Sequence, residues 1–128
     1  IMYNDILEHL VDPWNVLKKH SQYLAPEGRF IMCIPNVQHF HSLLNIIFGR
    51  WDYVETGLFA KIHLRFFCYK NIKDLVKSVD HKVDKVKRNY KIFRNTILLK
   101  EIAPIISLYI FRPFFVYQYV VLTKIKKQ

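Results

Sequence analysis

Glu8 and His9 stand side by side after an apolar opening stretch. A carboxylate next to an imidazole can move a proton near neutrality, because an unperturbed histidine titrates close to physiological pH. His9 is therefore a candidate general base; the plainer alternative is that both residues only bond backbone where two elements meet. Farther on, His63 and Arg65 alternate with apolar neighbours in His-Leu-Arg-Phe-Phe. In an extended chain they would share a face, where they could hold an anionic phosphate or carboxylate, the guanidinium acting as a bidentate clamp. An internal salt bridge from Arg65 to Glu8 or Asp52 would use the same groups. Asn36, after Pro35, offers donors and acceptors to a cleft and is equally suited to a plain turn. His39-x-His41 suggests a metal pair, but side chains two apart on a helix diverge, so no metal ligand is assigned. There is no nucleophile elbow.

These groups need elements to position them. Residues 1–7 are apolar except Asn4 and Asp5 and read as a buried strand with Glu8 and His9 at its exit. Asp12 and Pro13 then form a helix start, an N-cap followed by proline at the first helical position. A strand that ends in an acid and a histidine and turns into a helix is the geometry of ligand sites in open α/β sheets. The helix is expected over 13–24, with Val16, Leu17, Tyr23 and Leu24 at helical spacing. A turn at 25–28 leads into a strand over 29–35, apolar on both faces as when helices cover both sides of a parallel sheet. Strand, helix and strand make one right-handed crossover.

A helix over 38–48 puts Phe40, Leu43, Leu44 and Ile47 on one stripe, with Gly49 as its C-cap. Residues 50–67 are aromatic and irregular and read as a lid or wall; Trp51 and Tyr53 there could stack on a sugar or base, or simply pack. A short helix is expected over 71–79 and a charged strand over 83–90. An apolar helix over 95–111, broken by Pro104, precedes a strand over 114–124 rich in β-branched and aromatic residues.

Composition bounds the function. The 128 residues suit one domain, and 52% hydrophobic residues argue against disorder. Twenty Lys plus Arg against ten Asp plus Glu give a formal charge of +10, which favours anionic partners or is only a solvated basic surface. Neither an RNA-recognition nor a helix-turn-helix signature is present, so no specific nucleic-acid partner is expected. Cys33 and Cys68 make neither a disulfide framework nor a metal cluster; Cys33, in an apolar strand, reads as a buried free thiol. The apolar stretch 96–123 is interrupted by Lys100, Glu101 and Arg112 and falls short of the roughly 18 residues a spanning helix needs. A soluble cytoplasmic protein is expected.

Ile-Leu-Glu-His-Leu-x-Asp-Pro at 6–13 resembles the segment that closes the fourth strand of class I S-adenosylmethionine-dependent methyltransferases. Leu24-Ala25-Pro26-Glu27-Gly28-Arg29 leading to Ile34-Pro35-Asn36, Gly49-Arg50-Trp51-Asp52-Tyr53, and His63-Leu64-Arg65-Phe66-Phe67 keep that family's order. The set is most like the branch found among bacterial glycan and small-molecule methyltransferases. The resemblance implies the C-terminal half of a Rossmann-like fold, strand four to strand seven over residues 1–128, with an inner parallel first strand and the last strand antiparallel and inserted between two others. It implies S-adenosylmethionine as cofactor, with Leu7, Glu8, His9 and Asn36 beside it and His9, His63 and Arg65 in catalysis on a small, polar or anionic sugar-type acceptor. Such methyl transfer is an in-line displacement that requires no metal.

The family's cofactor-binding half, with its Gly-rich turn, has no counterpart here: Gly28, Gly49 and Gly57 are the only glycines. The chain alone is accordingly expected to be inactive, with an exposed sheet edge able to pair with itself or another chain. A non-catalytic half-domain is the alternative. Two positions depart from the family pattern: Cys68 replaces a helix-capping Thr, and Val79-Asp80-His81 replaces Ala-Gly-Phe, removing a glycine suited to a left-handed helix end.

Overall fold

The computed structural model describes residues 1–90 and 111–126; the expected helix over 95–111 lies outside them but for Phe111. Seven elements follow in order: β1 (Met2–Asn4), α1 (Pro13–Ser21), β2 (Ile31–Pro35), α2 (Phe40–Ile47), α3 (Tyr69–Lys77), β3 (His81–Tyr90) and β4 (Val116–Ile125). Turns of 3-10 helix occupy Leu7–His9 and Arg112–Phe115. The strands form one mixed sheet in the order β1-β2-β4-β3. β1 and β2 are parallel, joined through α1, and β4 runs antiparallel to both of its neighbours. The molecule is thus a small α/β domain, and its last described strand lies inside the sheet.

Local chemistry explains most boundaries. The Asp12 carboxylate accepts the Asn15 N–H at 3.0 Å and Pro13 opens α1, the pairing of cap and proline expected from the sequence. Gly49 closes α2 at φ +68°, with its N–H on the Ile46 carbonyl and the Arg50 N–H on that of Asn45, a Schellman end. At the start of α3, Asn71 accepts the Cys68 backbone N–H at 3.1 Å, so half of a capping box survives without the hydroxyl. At its end Asp80 takes φ +57°, the left-handed conformation that glycine would adopt without a Cβ penalty.

One face of the sheet forms the core. Met32 and Ile34 of β2, Val116, Tyr119 and Val121 of β4, Leu17 of α1, and Ile72, Leu75 and Val76 of α3 are buried together. β3, with Lys82, Asp84, Lys85, Lys87 and Arg88 along it, is held by β4 over its length. A bulge at Asp84 turns its carboxylate to Arg29 at 2.6 Å and Lys124 at 2.5 Å, which hold its pKa below the usual range, Lys124 foremost.

Two expectations need correction. The first strand is not a seven-residue inner strand: Asp5 takes φ +52° and ends it at Asn4, and among the described residues it sits at the sheet edge with Met2 68% exposed. β2 is not buried on both faces, for Ile31 is 40% exposed and Cys33 only half-buried. The apolar stripe expected on α2 is left largely open: Leu44 and Ile47 are exposed and only Ser42 of that helix is buried. Periodicity reports amphipathic shape and not the presence of a partner face.

Asp80→Gly should relieve the left-handed backbone at the end of α3 and raise stability by about 0.5 kcal/mol, the gain being trimmed by the greater freedom of unfolded glycine. Urea denaturation of the two proteins measures it.

Candidate functional site

The 3-10 turn after β1 sends its side chains to different environments. Leu7 is fully buried in the core and Glu8 is 1% exposed, whereas His9 is half-buried. The main-chain carbonyl of Glu8 accepts two N–H groups, Leu64 at 2.8 Å and Arg65 at 2.9 Å. Those bonds fasten the end of the aromatic segment to the turn, and a third bond, His63 N–H to the Ala60 carbonyl at 2.9 Å, folds it locally. The result sets His63 against His9, with ring centroids 4.8 Å apart and planes inclined at 59°.

Each imidazole is also oriented by a carbonyl. Nδ1 of His9 lies 3.0 Å from the Ile62 oxygen, and Nδ1 of His63 lies 3.1 Å from that of Leu58. A carbonyl only accepts, so in the neutral rings the proton resides on Nδ1 and the lone pair on Nε2. Both Glu8 carboxylate oxygens are buried without a hydrogen-bond partner among the described residues. One ligand atom from each of Glu8, His9 and His63 lies within 4.8 Å of the others. These three residues could hold a cation, or trade a proton.

Burial pushes the Glu8 carboxyl up from its ordinary value of 4.5; its own backbone N–H pulls it part of the way back, Asp5 adds a smaller push upward, and His9 a smaller one downward. The neighbouring Cys33 thiol is pushed up to about 11, by burial first and by Asp5 and Glu8 after it. Such a thiol is a poor nucleophile at neutral pH.

Arg65 is occupied elsewhere. Its Nε–H and terminal N–H donate to the Val11 carbonyl, and its guanidinium lies 5.8 Å from the centre of the Trp14 ring. Among the described residues it makes no salt bridge with Glu8 or Asp52. His63 and Arg65 thus face different partners, though Arg65 still borders an open groove of about 330 Å³ lined by Trp14, Leu64, Arg65, Phe66, Phe67 and Asn71.

Asn36 is brought to the end of β2 but buried entirely. Its amide donates to the Pro113 carbonyl at 2.9 Å and the Val116 carbonyl at 2.7 Å, while its Oδ1 accepts the Gln38 N–H at 3.2 Å. Both donors are engaged in tying β2 to the start of β4. Trp51 packs edge-on against Phe59 and Phe66 at 4.5 and 5.2 Å, and Tyr53 is 60% exposed. His39 caps α2, its Nδ1 accepting the His41 backbone N–H at 3.3 Å.

The sequence reading named Glu8, His9 and His63 but split them between cofactor and catalysis. That they form one cluster follows from the Glu8 carbonyl bonds, which join residues more than fifty apart and leave no sequence signal. Trp14, the partner of Arg65, was missed as well; its place one helical step inside α1 was the available hint. Among the described residues, no helix is long and apolar enough to cross a membrane.

No protein-family model matches the chain, and a search of curated proteins finds no match.

The Glu8 shift has a measurable sign. A carboxyl whose folded pKa lies above its unfolded value supports the fold fully below pH 4.5 and loses that contribution as pH rises through the folded value. In a chelator-containing buffer, the stability difference between Glu8→Gln and wild type should therefore grow in favour of the variant as pH rises from 4 towards 7. Urea titrations across that range test it; a difference independent of pH would show that the carboxyl is not perturbed.

Proposed function

We propose that the chain is the strand-four to strand-seven part of a class I S-adenosylmethionine-dependent methyltransferase, acting in the complete enzyme on a small polar or sugar-type acceptor. The observation that carries this is the sheet: a parallel pair joined by a helix, and a last described strand that enters antiparallel between its two neighbours. That insertion is what the resemblance of the four sequence segments implies. It sets β4 and not β3 beside β2, whereas strands that follow one another in sequence usually lie side by side.

The described residues fit the methionine end of the cofactor in part. Glu8, buried with unpartnered oxygens beside the exit of β1, suits its ammonium group. Asn36 does not reach it, since both amide donors are spent on carbonyls. S-adenosylmethionine would supply an activated methyl on sulfur. Around it, the role of this chain would be to hold the acceptor in line and take its proton. His9 has the chemistry for the second task, with Nε2 carrying the lone pair. Arg65, at the rim of the groove, would attract an anionic acceptor, and His63 would fix the ring of His9.

A second reading draws on the exposed edge at β1, where Met2 and Ile1 are 68% and 44% exposed: a half-domain that pairs with itself or with another chain and transfers nothing.

Calorimetry with S-adenosylhomocysteine and transfer of labelled methyl by the complete gene product separate the two. The methyltransferase reading expects binding and turnover there, and neither from residues 1–128 alone. In the complete protein His9→Ala should lower turnover by about 10²-fold, the scale of general-base catalysis, with little change in Tm. Arg65→Ala should raise KM for an anionic acceptor and also lower Tm, because the side chain anchors Val11. A complete product that binds no S-adenosylhomocysteine while this chain elutes as a dimer would replace the first reading with the second.

A further inference from the structure

We propose that Glu8, His9 and His63 form a binding site for a divalent first-row transition metal, zinc by preference, with an open coordination position. The inference does not draw on methyl transfer, with which it competes for the Glu8 carboxylate and the His9 Nε2 lone pair, and it rests on three features of the cluster.

The first is an unpaired acid. A carboxylate taken out of water without a partner is costly, and Glu8, 1% exposed with neither oxygen hydrogen-bonded among the described residues, lacks the compensation that buried acids ordinarily have. A cation between it and the two rings supplies that compensation. The second is ring orientation. Metal-bound histidines characteristically give their other ring N–H to a carbonyl or carboxylate, and both His9 and His63 do so, to Ile62 and Leu58. Their Nε2 lone pairs are thereby left for a ligand. The third is convergence: the three ligand atoms lie within 4.8 Å of one another. Around zinc, bond lengths near 2.1 Å set tetrahedral ligand atoms roughly 3.4 Å apart, so binding requires the three side chains to draw together.

The donor set selects the ion. Two imidazole nitrogens and one carboxylate suit zinc, iron, cobalt or nickel, whereas calcium and magnesium prefer oxygen throughout. Three protein ligands leave a tetrahedral ion one position for water or a substrate oxygen, the arrangement of catalytic rather than structural sites. Bound there, the ion would also pin the aromatic segment, through His63, to the turn that carries Glu8.

The test uses the full 128-residue chain after dialysis against a chelator. Zinc chloride followed by calorimetry should show a single equivalent bound, with a rise in Tm that a chelator reverses. Cobalt chloride should give visible absorption bands of low coordination number, and zinc should bleach them. Glu8→Gln, His9→Ala and His63→Ala should each weaken binding at least tenfold, since even outer partners of metal ligands cost about 10–100-fold. His41→Ala and Cys68→Ser should leave it unchanged. Far-UV circular dichroism shows whether each variant is folded, and X-ray absorption of the zinc-loaded wild type gives the nitrogen and oxygen donors without any substitution. Failure of the folded wild type to take up zinc or cobalt overturns the proposal, as does equal uptake by folded His63→Ala or a sulfur donor in the absorption spectrum.

Discussion

β4 is the strand through which the described fold is connected. Without it, β1 and β2 would form a parallel pair of a few residues and β3 would touch neither. Its two antiparallel ladders therefore decide where everything else lies. Side chains reinforce them at both ends. The Thr123 hydroxyl accepts the Phe30 N–H at 3.0 Å and lies 3.1 Å from Nδ1 of buried His81, and the Asn36 amide grips the carbonyls that lead into the strand. Each is a buried polar group with its partner in place, and removing either member would leave the other to bear the full cost of desolvation.

The cluster at the exit of β1 depends on backbone in a different manner. Nothing in the rings of His9 and His63 draws them together strongly. They meet because the Glu8 carbonyl accepts the N–H groups of Leu64 and Arg65, and because Arg65 in turn holds Val11 and covers Trp14. At about 1 kcal/mol net for an ordinary hydrogen bond, this is a modest fastening. The segment is steadied further by Trp51, whose ring meets those of Phe59 and Phe66 edge to face. Aromatic residues in a stretch without regular structure thus act as packing for the site's outer wall.

What could be read from residues alone divides by range. α1, α3, β2 and β4 were legible because cap residues, apolar spacing and β-branched runs act within a few positions; Asp12, Pro13 and Gly49 stand where their local chemistry requires. The interior place of β4 entered through likeness to a family and could not come from its own residues. The limits of β1 were missed because Asp5 assumes a left-handed backbone that aspartate tolerates but does not announce. The stripe that carries Leu44 and Ile47 was legible, but a stripe of apolar side chains carries no information about its partner. At the site, residue types were legible at Glu8, His9, His63 and Arg65, while their grouping was not: Arg65 reached for a carbonyl instead of an acid, and Glu8 kept both oxygens without a hydrogen bond among the described residues.

The position of β4 also bears on how the chain is made. Of the four described strands it is the last to leave the ribosome, yet two others wait on it. Until it emerges, the inner edge of β2 and the whole of β3 present unpaired backbone, with Met32 and Ile34 lacking the cover of Tyr119 and Val121. Pairings so distant along the chain form slowly, and open apolar edges in that interval invite contact with other nascent polypeptides. Synthesis of this protein therefore passes through a vulnerable stage, set by strand order alone, in which a holdase would find its substrate.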